Sequence, residues 1–194
     1  MGIRFFYYSI NRELITVPKG NTMLSVATAE CFTHGRIGVI LHKMAMGYED
    51  VKGHPYYPIF NKNIYVIASM FLPQRDVIES ILDIKLPPSD YTYRYAKVYN
   101  EKKDIEVAYL MAKGLKDKLR CNIAIGTTAG IGRGGICILT DNRRYLFTTD
   151  VYGNILTGKN LVERSENGIS KTLNKLVEIL SNEYGIKLPY QSDS

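Results

Sequence analysis

Two rhythms of apolar and polar positions organise this chain. Leu24, Val26, Ala27 and Ala29 form a short run of small and branched apolar side chains, which predicts a strand covered on both faces. Beyond a polar turn, Ile37, Ile40, Leu41, Met44 and Ala45 recur at spacings of three and four, the period of a helix burying one stripe. Gly47–Asn63 is rich in Gly, Pro and Tyr and predicts a long ordered loop across a site or an interface. Ile64–Met70 then predicts a second strand, and Pro73 introduces a helix over Gln74–Leu82 with Val77, Ile78, Ile81 and Leu82 buried. Pro87-Pro88-Ser89-Asp90 closes that unit.

The rhythms continue to the end of the chain. Tyr91, Tyr93 and Tyr95 alternate with Thr92, Arg94 and Ala96, which predicts one strand over Tyr91–Val98 with a face against core or partner. Asp104 is the expected N-cap of a helix through Leu119, apolar at Ile105, Ala108, Tyr109, Ala112 and Leu115. Cys121–Gly126, Gly135–Thr140 and Tyr145–Thr149 read as strands. Asn160 and Glu163 suggest a capping box for a last helix lined by Ile169, Leu173, Leu176 and Leu180 and stopped by Gly185. Strands alternating with helices, then a hairpin, predict an α/β fold: a three-layer α/β/α sandwich around a mostly parallel, mixed sheet. The expected organisation is a single α/β domain over 23–185 and a flexible tail over 186–194. Residues 1–22, with a candidate edge strand Phe5–Ile10, read as a peripheral extension or an over-long gene start.

Composition narrows the classes. A chain of 194 residues can bury a core without metal or disulfide staples. Cys31, Cys121 and Cys137 lack C-x-x-C spacing, which argues against a disulfide framework or a bound zinc and for a reduced, cytoplasmic setting. No apolar run approaches the roughly 20 residues of a membrane span. The formal charge of +6 favours anionic small-molecule ligands such as nucleotides. Nucleic acid is the poorer fit, because the basic residues are dispersed and no recognition module is legible.

Chemistry gathers at the turn after the first strand, Glu30-Cys31-Phe32-Thr33-His34-Gly35. A thiol at a helix start feels oriented peptide dipoles that favour the thiolate, and the same amides could hold the oxygen that turns negative when sulfur attacks a carbonyl. Cys31, with Thr33 and His34, is therefore a candidate nucleophilic centre, weighed against the ordinary burial of free cysteines. Glu30 is read as a turn anchor or a ligand contact. A second candidate is Thr127-Thr128-Ala129-Gly130-Ile131-Gly132-Arg133-Gly134-Gly135. It matches the spacing of a dinucleotide fingerprint but leads into a strand and not a helix, so that reading fails. What remains is a glycine-rich turn in which Thr127, Thr128, Gly130, Gly132 and Arg133 could cradle a phosphate or carboxylate. Asp150 ends a strand at the same rim. Gly153–Asn160 falls short of a phosphate loop, with Asn160 where a magnesium-binding hydroxyl belongs.

The strings Thr28-Ala-Glu-Cys-Phe-Thr-His-Gly35, Ile67-Ala-Ser-Met-Phe-Leu-Pro73, Thr127-Thr-Ala-Gly-Ile-Gly132 and Phe147-Thr-Thr-Asp-Val-Tyr-Gly153 closely resemble the HcgF family of methanogens, which serves iron-guanylylpyridinol cofactor biosynthesis for [Fe]-hydrogenase. The resemblance implies that Cys31 forms a thioester with the carboxyl group of guanylylpyridinol, after a separate adenylating enzyme has activated that acid. The expected ligand-binding set is Thr28, Glu30, Thr127, Thr128, Gly130, Gly132, Arg133 and Asp150. More remotely, Ala29–Gly35 is similar to the nucleophile string of the carboxy-terminal domain of CinA and nicotinamide-mononucleotide deamidase, with Cys31 at the serine position. His34 stands where that string has glycine, and no counterpart of the deamidase lysine is clear near Gln74. A Cys31-dependent pyridine-nucleotide amidohydrolase and a non-enzymatic nucleotide- or nucleic-acid-binding protein are the alternatives. A homodimer through the Tyr-rich loop or the Tyr91–Val98 edge is also expected.

Overall fold

The structure, a computed structural model, describes residues 23–187. Residues 1–22, including the expected strand Phe5–Ile10, and residues 188–194 of the expected tail lie outside the described residues. In chain order the elements are β1 (Leu24–Glu30), α1 (Arg36–Met46), α2 (Tyr57–Phe60), β2 (Ile64–Phe71), α3 (Arg75–Leu82), β3 (Tyr91–Tyr93) and β4 (Ala96–Val98). There follow α4 (Glu101–Leu119), β5 (Ile123–Thr128), β6 (Ile131–Gly132), β7 (Gly135–Leu139), β8 (Arg144–Phe147), β9 (Gly153–Asn154) and α5 (Leu161–Tyr184). The main sheet has the order β2-β1-β5-β7-β8. β1 is parallel to both β2 and β5, whereas β7 runs antiparallel to its neighbours β5 and β8. This is the mixed, mostly parallel sheet of a three-layer α/β/α sandwich.

Alternation along the central strands sorts side chains by size. Val26, Ile123, Ile125 and Ile138 face α1, α2 and α5, where they meet Ile37, Leu41, Phe60, Leu173 and Leu176. The opposite face presents Ala27, Ala29, Ala124 and Cys137 to α3 and α4. Small residues there let α4 lie almost on the sheet: a Cβ added at Gly126 would stand 2.1 Å from the Ala108 carbonyl oxygen. Close packing of this kind leaves no room for even one methyl group.

Several local expectations need correction. Gly47–Asn63 is not a plain loop, since it holds a 3-10 turn at Glu49–Val51 and the short α2. Val77 and Ile81 are exposed while Ile78 and Leu82 are buried, because α3 packs on α4 along one side only. Tyr91–Val98 is a hairpin of two short strands, with Arg94 in the left-handed region (φ 57°) at its turn. Its tyrosines Tyr91, Tyr93 and Tyr95 point to solvent. The N-cap of α4 is Asn100, whose side chain accepts from the Lys103 N–H at 3.1 Å. Asp104 lies one turn inside the helix and is fully buried. Asn160 does precede α5, yet its left-handed backbone (φ 50°) turns the amide away to donate to the Tyr152 carbonyl, so no capping box forms. No helix among the described residues is long and apolar enough to cross a membrane.

Candidate functional site

Parallel pairing of β1 with β5 releases the Cys31 turn and the glycine loop side by side at the carboxyl ends of the strands, where open α/β sheets place their ligands. The Cys31 N–H donates to the Thr127 carbonyl at 2.9 Å and stitches the two together. After Cys31 the chain must reverse into α1 within a few residues. His34 (φ 56°) and Gly35 (φ 77°) both adopt left-handed backbone to do so.

Glu30 anchors this turn. It is fully buried, and it accepts from the Gly38 N–H (2.8 Å), the Ile37 N–H (3.1 Å) and the Thr33 hydroxyl (2.7 Å). A carboxylate at this end of a helix is favoured by the peptide dipoles. Its presence also corrects the idea that these amides await an oxyanion, because Glu30 already occupies them. Cys31 itself stands five residues ahead of α1, outside its first turn. Thr33 shares a second hydrogen bond with the Thr127 hydroxyl at 2.8 Å, and the Thr28 hydroxyl faces Ser69 at 3.4 Å. All three threonines are wholly buried.

Beside the turn lies a cavity of about 160 Å³, lined mainly by apolar groups such as Phe32, Phe71 and Leu161, with Cys31, His34 and Arg164 among its polar members. Of the three cysteines only Cys31 is partly exposed. Cys121 and Cys137 are packed on the α4 face, where burial pushes the Cys137 thiol up to about 12 and raises that of Cys121. His34 is exposed, and its ring rests against Phe71 with centroids 5.5 Å apart. Cys31 and His34 are thus brought together at the cavity, while Thr33 is not.

The other expected ligand residues do not reach it. Asp104 takes the Gly130 N–H (2.7 Å) and the Thr128 hydroxyl (3.3 Å). Glu101 takes the Arg133 N–H (2.8 Å) and pairs with its guanidinium (2.8 Å). Asp150 pairs with Lys171 at 2.7 Å and accepts from Asn167. Gly132 has φ 121° and packs against Glu101. The glycine loop therefore has its principal donors bound within the protein. Its strain and close packing serve to shape the cavity wall, which it joins through Ala129.

Two buried charges stand close behind the site, one not singled out in the sequence and the other only as a helix cap. Arg164, on α5, is 2% exposed. Its Nη1 donates to the carbonyl oxygens of Gly130 (3.1 Å), Gly132 (2.9 Å) and Gly153 (3.1 Å), tying three segments into the cavity wall. Its Nε has no partner, and burial lowers its pKa. Asp104 is the second: burial pushes its carboxyl up to about 7, against the opposing pull of the Gly130 N–H, Lys97 and Arg164. The available signal was positional, since Arg164 shares a helical stripe with the buried Gly168 and Thr172. Among the described residues no cluster of His, Cys, Asp or Glu could hold a metal ion.

The family described as "FeGP cofactor biosynthesis protein HcgF" matches residues 23–180. A UPF0254 protein of Methanococcus maripaludis strain C6 is 56% identical over 165 residues, covering 85% of this chain and 100% of its own. The UPF0254 protein of Methanothermobacter thermautotrophicus is 36% identical over 160 residues, covering 81% and 99%. Among solved structures, the competence or damage-inducible protein of Enterobacter asburiae shares the fold. Its TM-score is 0.52 at 14% identity, with 81% of this chain and 88% of that one covered. At that identity the likeness is one of fold, the three-layer α/β/α sandwich.

Proposed function

The chain belongs to the HcgF family of FeGP cofactor biosynthesis proteins, and on that footing we propose that it carries the acyl group of guanylylpyridinol as a thioester on Cys31. One observation carries this reading: the partly exposed thiol of the protein faces an apolar cavity, while the other two are sealed beneath the sheet. The cavity suits a pyridinol ring with its carboxyl group. It is smaller than the roughly 300–1,000 Å³ that encloses a drug-sized ligand, so the nucleotide part extends across the mouth.

In the reaction, the carboxyl arrives as an adenylate made by a separate enzyme. Cys31 Sγ attacks the acyl carbon, an S–C bond forms, and the C–O bond to phosphorus breaks. AMP leaves with the bonding pair, and the thiol proton passes to His34 or to water. The buried Arg164 guanidinium biases the cavity toward the oxygen that gains negative charge, in a setting where little water screens it. A pre-activated acid makes a strong base unnecessary, which fits a His34 that forms no hydrogen bond to Cys31 through its ring.

Incubation with guanylylpyridinol, ATP and the adenylating enzyme, followed by intact-mass measurement, tests the proposal. The expected result is one adduct, lost with hydroxylamine and missing in Cys31→Ala. An adduct that persists in Cys31→Ala would overturn it. Release of ammonia from a pyridine nucleotide, abolished in the same variant, would instead support the amidohydrolase reading.

A further inference from the structure

We infer that the cleft between the start of α3 and β4 is a phosphate site, filled by a nucleotide phosphate of the ligand whose acyl end enters the Cys31 cavity. The inference rests on the acyl-carrier reading for its ligand and on separate residues for its evidence. The cleft, about 280 Å³, adjoins the cavity: Tyr95 lines both, and the walls pass from Pro73 to Gln74 and from Ala96 to Lys97.

Three features of the cleft point to an anion. Lys97, on its wall, is 5% exposed, and its Nζ is buried without a hydrogen-bond partner. A buried cationic nitrogen left without a partner is costly, and buried polar groups are otherwise almost always satisfied. Arg75, also on the wall, bonds Glu79 and the Leu86 carbonyl through Nη2, while its buried Nε has no partner. Finally, α3 opens into the cleft at Gln74 with no side-chain cap, so the N–H groups of its first turn remain for a ligand. Ser89 and Thr92 add hydroxyls. Asp76 is the one carboxylate on the wall; it is exposed, and water screens it far more than it screens Lys97. Asp104 acts on Lys97 only at longer range, and its own oxygens are bound to Gly130 and Thr128.

A phosphate here could belong to the guanylyl group or to the adenylate that leaves. Calorimetric titration of the full-length protein with GMP, guanosine, AMP and adenosine separates the two. The expected result is at least tenfold tighter binding of one nucleotide than of its nucleoside, and the base of the preferred nucleotide names the source. Lys97→Met and Arg75→Gln should each remove most of that preference while leaving nucleoside affinity and the rate of Cys31 alkylation by iodoacetamide unchanged. Equal affinity for nucleotide and nucleoside in both series, no nucleotide binding at millimolar concentration, or a preference that survives both substitutions overturns the inference. Because no acyl transfer is involved, a failure of thioester formation leaves this result readable.

Discussion

The glycine loop and the α3–β4 cleft both resemble anion sites, but their polar groups have opposite fates. In the loop, the amides of Gly130 and Arg133 are held by buried Asp104 and by Glu101, and the Thr128 hydroxyl also serves Asp104. In the cleft, Lys97 Nζ, Arg75 Nε and the uncapped start of α3 have no internal partner. Glycines and hydroxyls at a strand end therefore mark a place where backbone must bend and pack. In the cleft, by contrast, folding leaves donors unused.

The largest expected effect concerns the loop's anchor. Burial pushes the Asp104 carboxyl up to about 7 from an ordinary 3.8, so the folded protein holds that proton where the unfolded chain has lost it. Its contribution to stability is then full below about pH 4 and declines as pH rises toward and through about 7. Between pH 5 and pH 8 the loss attributable to Asp104 is about 2–3 kcal/mol. Denaturant unfolding of wild type and Asp104→Asn at both pH values measures it; a variant with the same pH slope as wild type would show that the carboxyl does not titrate in this range. Next comes Gly130→Ala, whose added Cβ would stand 2.4 Å from the Tyr99 carbonyl oxygen and 2.6 Å from its nitrogen. Overpacking against backbone of this kind costs about 2 kcal/mol, read as a lower unfolding midpoint with nucleotide preference retained in the folded fraction. The smallest effect is expected of Arg133→Ala. Its exposed pair with Glu101 is screened by water, so neither the melting temperature nor nucleotide affinity should move measurably, and a lost nucleotide preference would return the phosphate to the glycine loop.

The contrast also explains how much of the fold is legible in the sequence. The strand at Leu24–Ala29, the stripe of α1 and the long α5 follow from local periodicity, and local periodicity is enough to predict alternating layers. Cys31, which lines the cavity, was legible as a candidate because it follows a buried strand directly. Arg164, Asp104 and Lys97 were not. Each is an ordinary charged residue in its own element, and its meaning comes from carbonyls, amides or missing partners far away in sequence. The internal partners of the glycine loop were hidden for the same reason. Its occupants, Asp104 and Glu101, sit on α4, and no spacing rule connects them to Gly130.

Arg164 has one more consequence, in the order of events as the chain is made. Cys31 leaves the ribosome before α5, and the wall beside it closes only when α5 arrives and its guanidinium gathers the carbonyls of Gly130, Gly132 and Gly153. Until then the thiol has no enclosing chamber. The growing chain thus carries the Cys31 thiol unhoused until α5 is made, and folding of that helix closes the wall beside it.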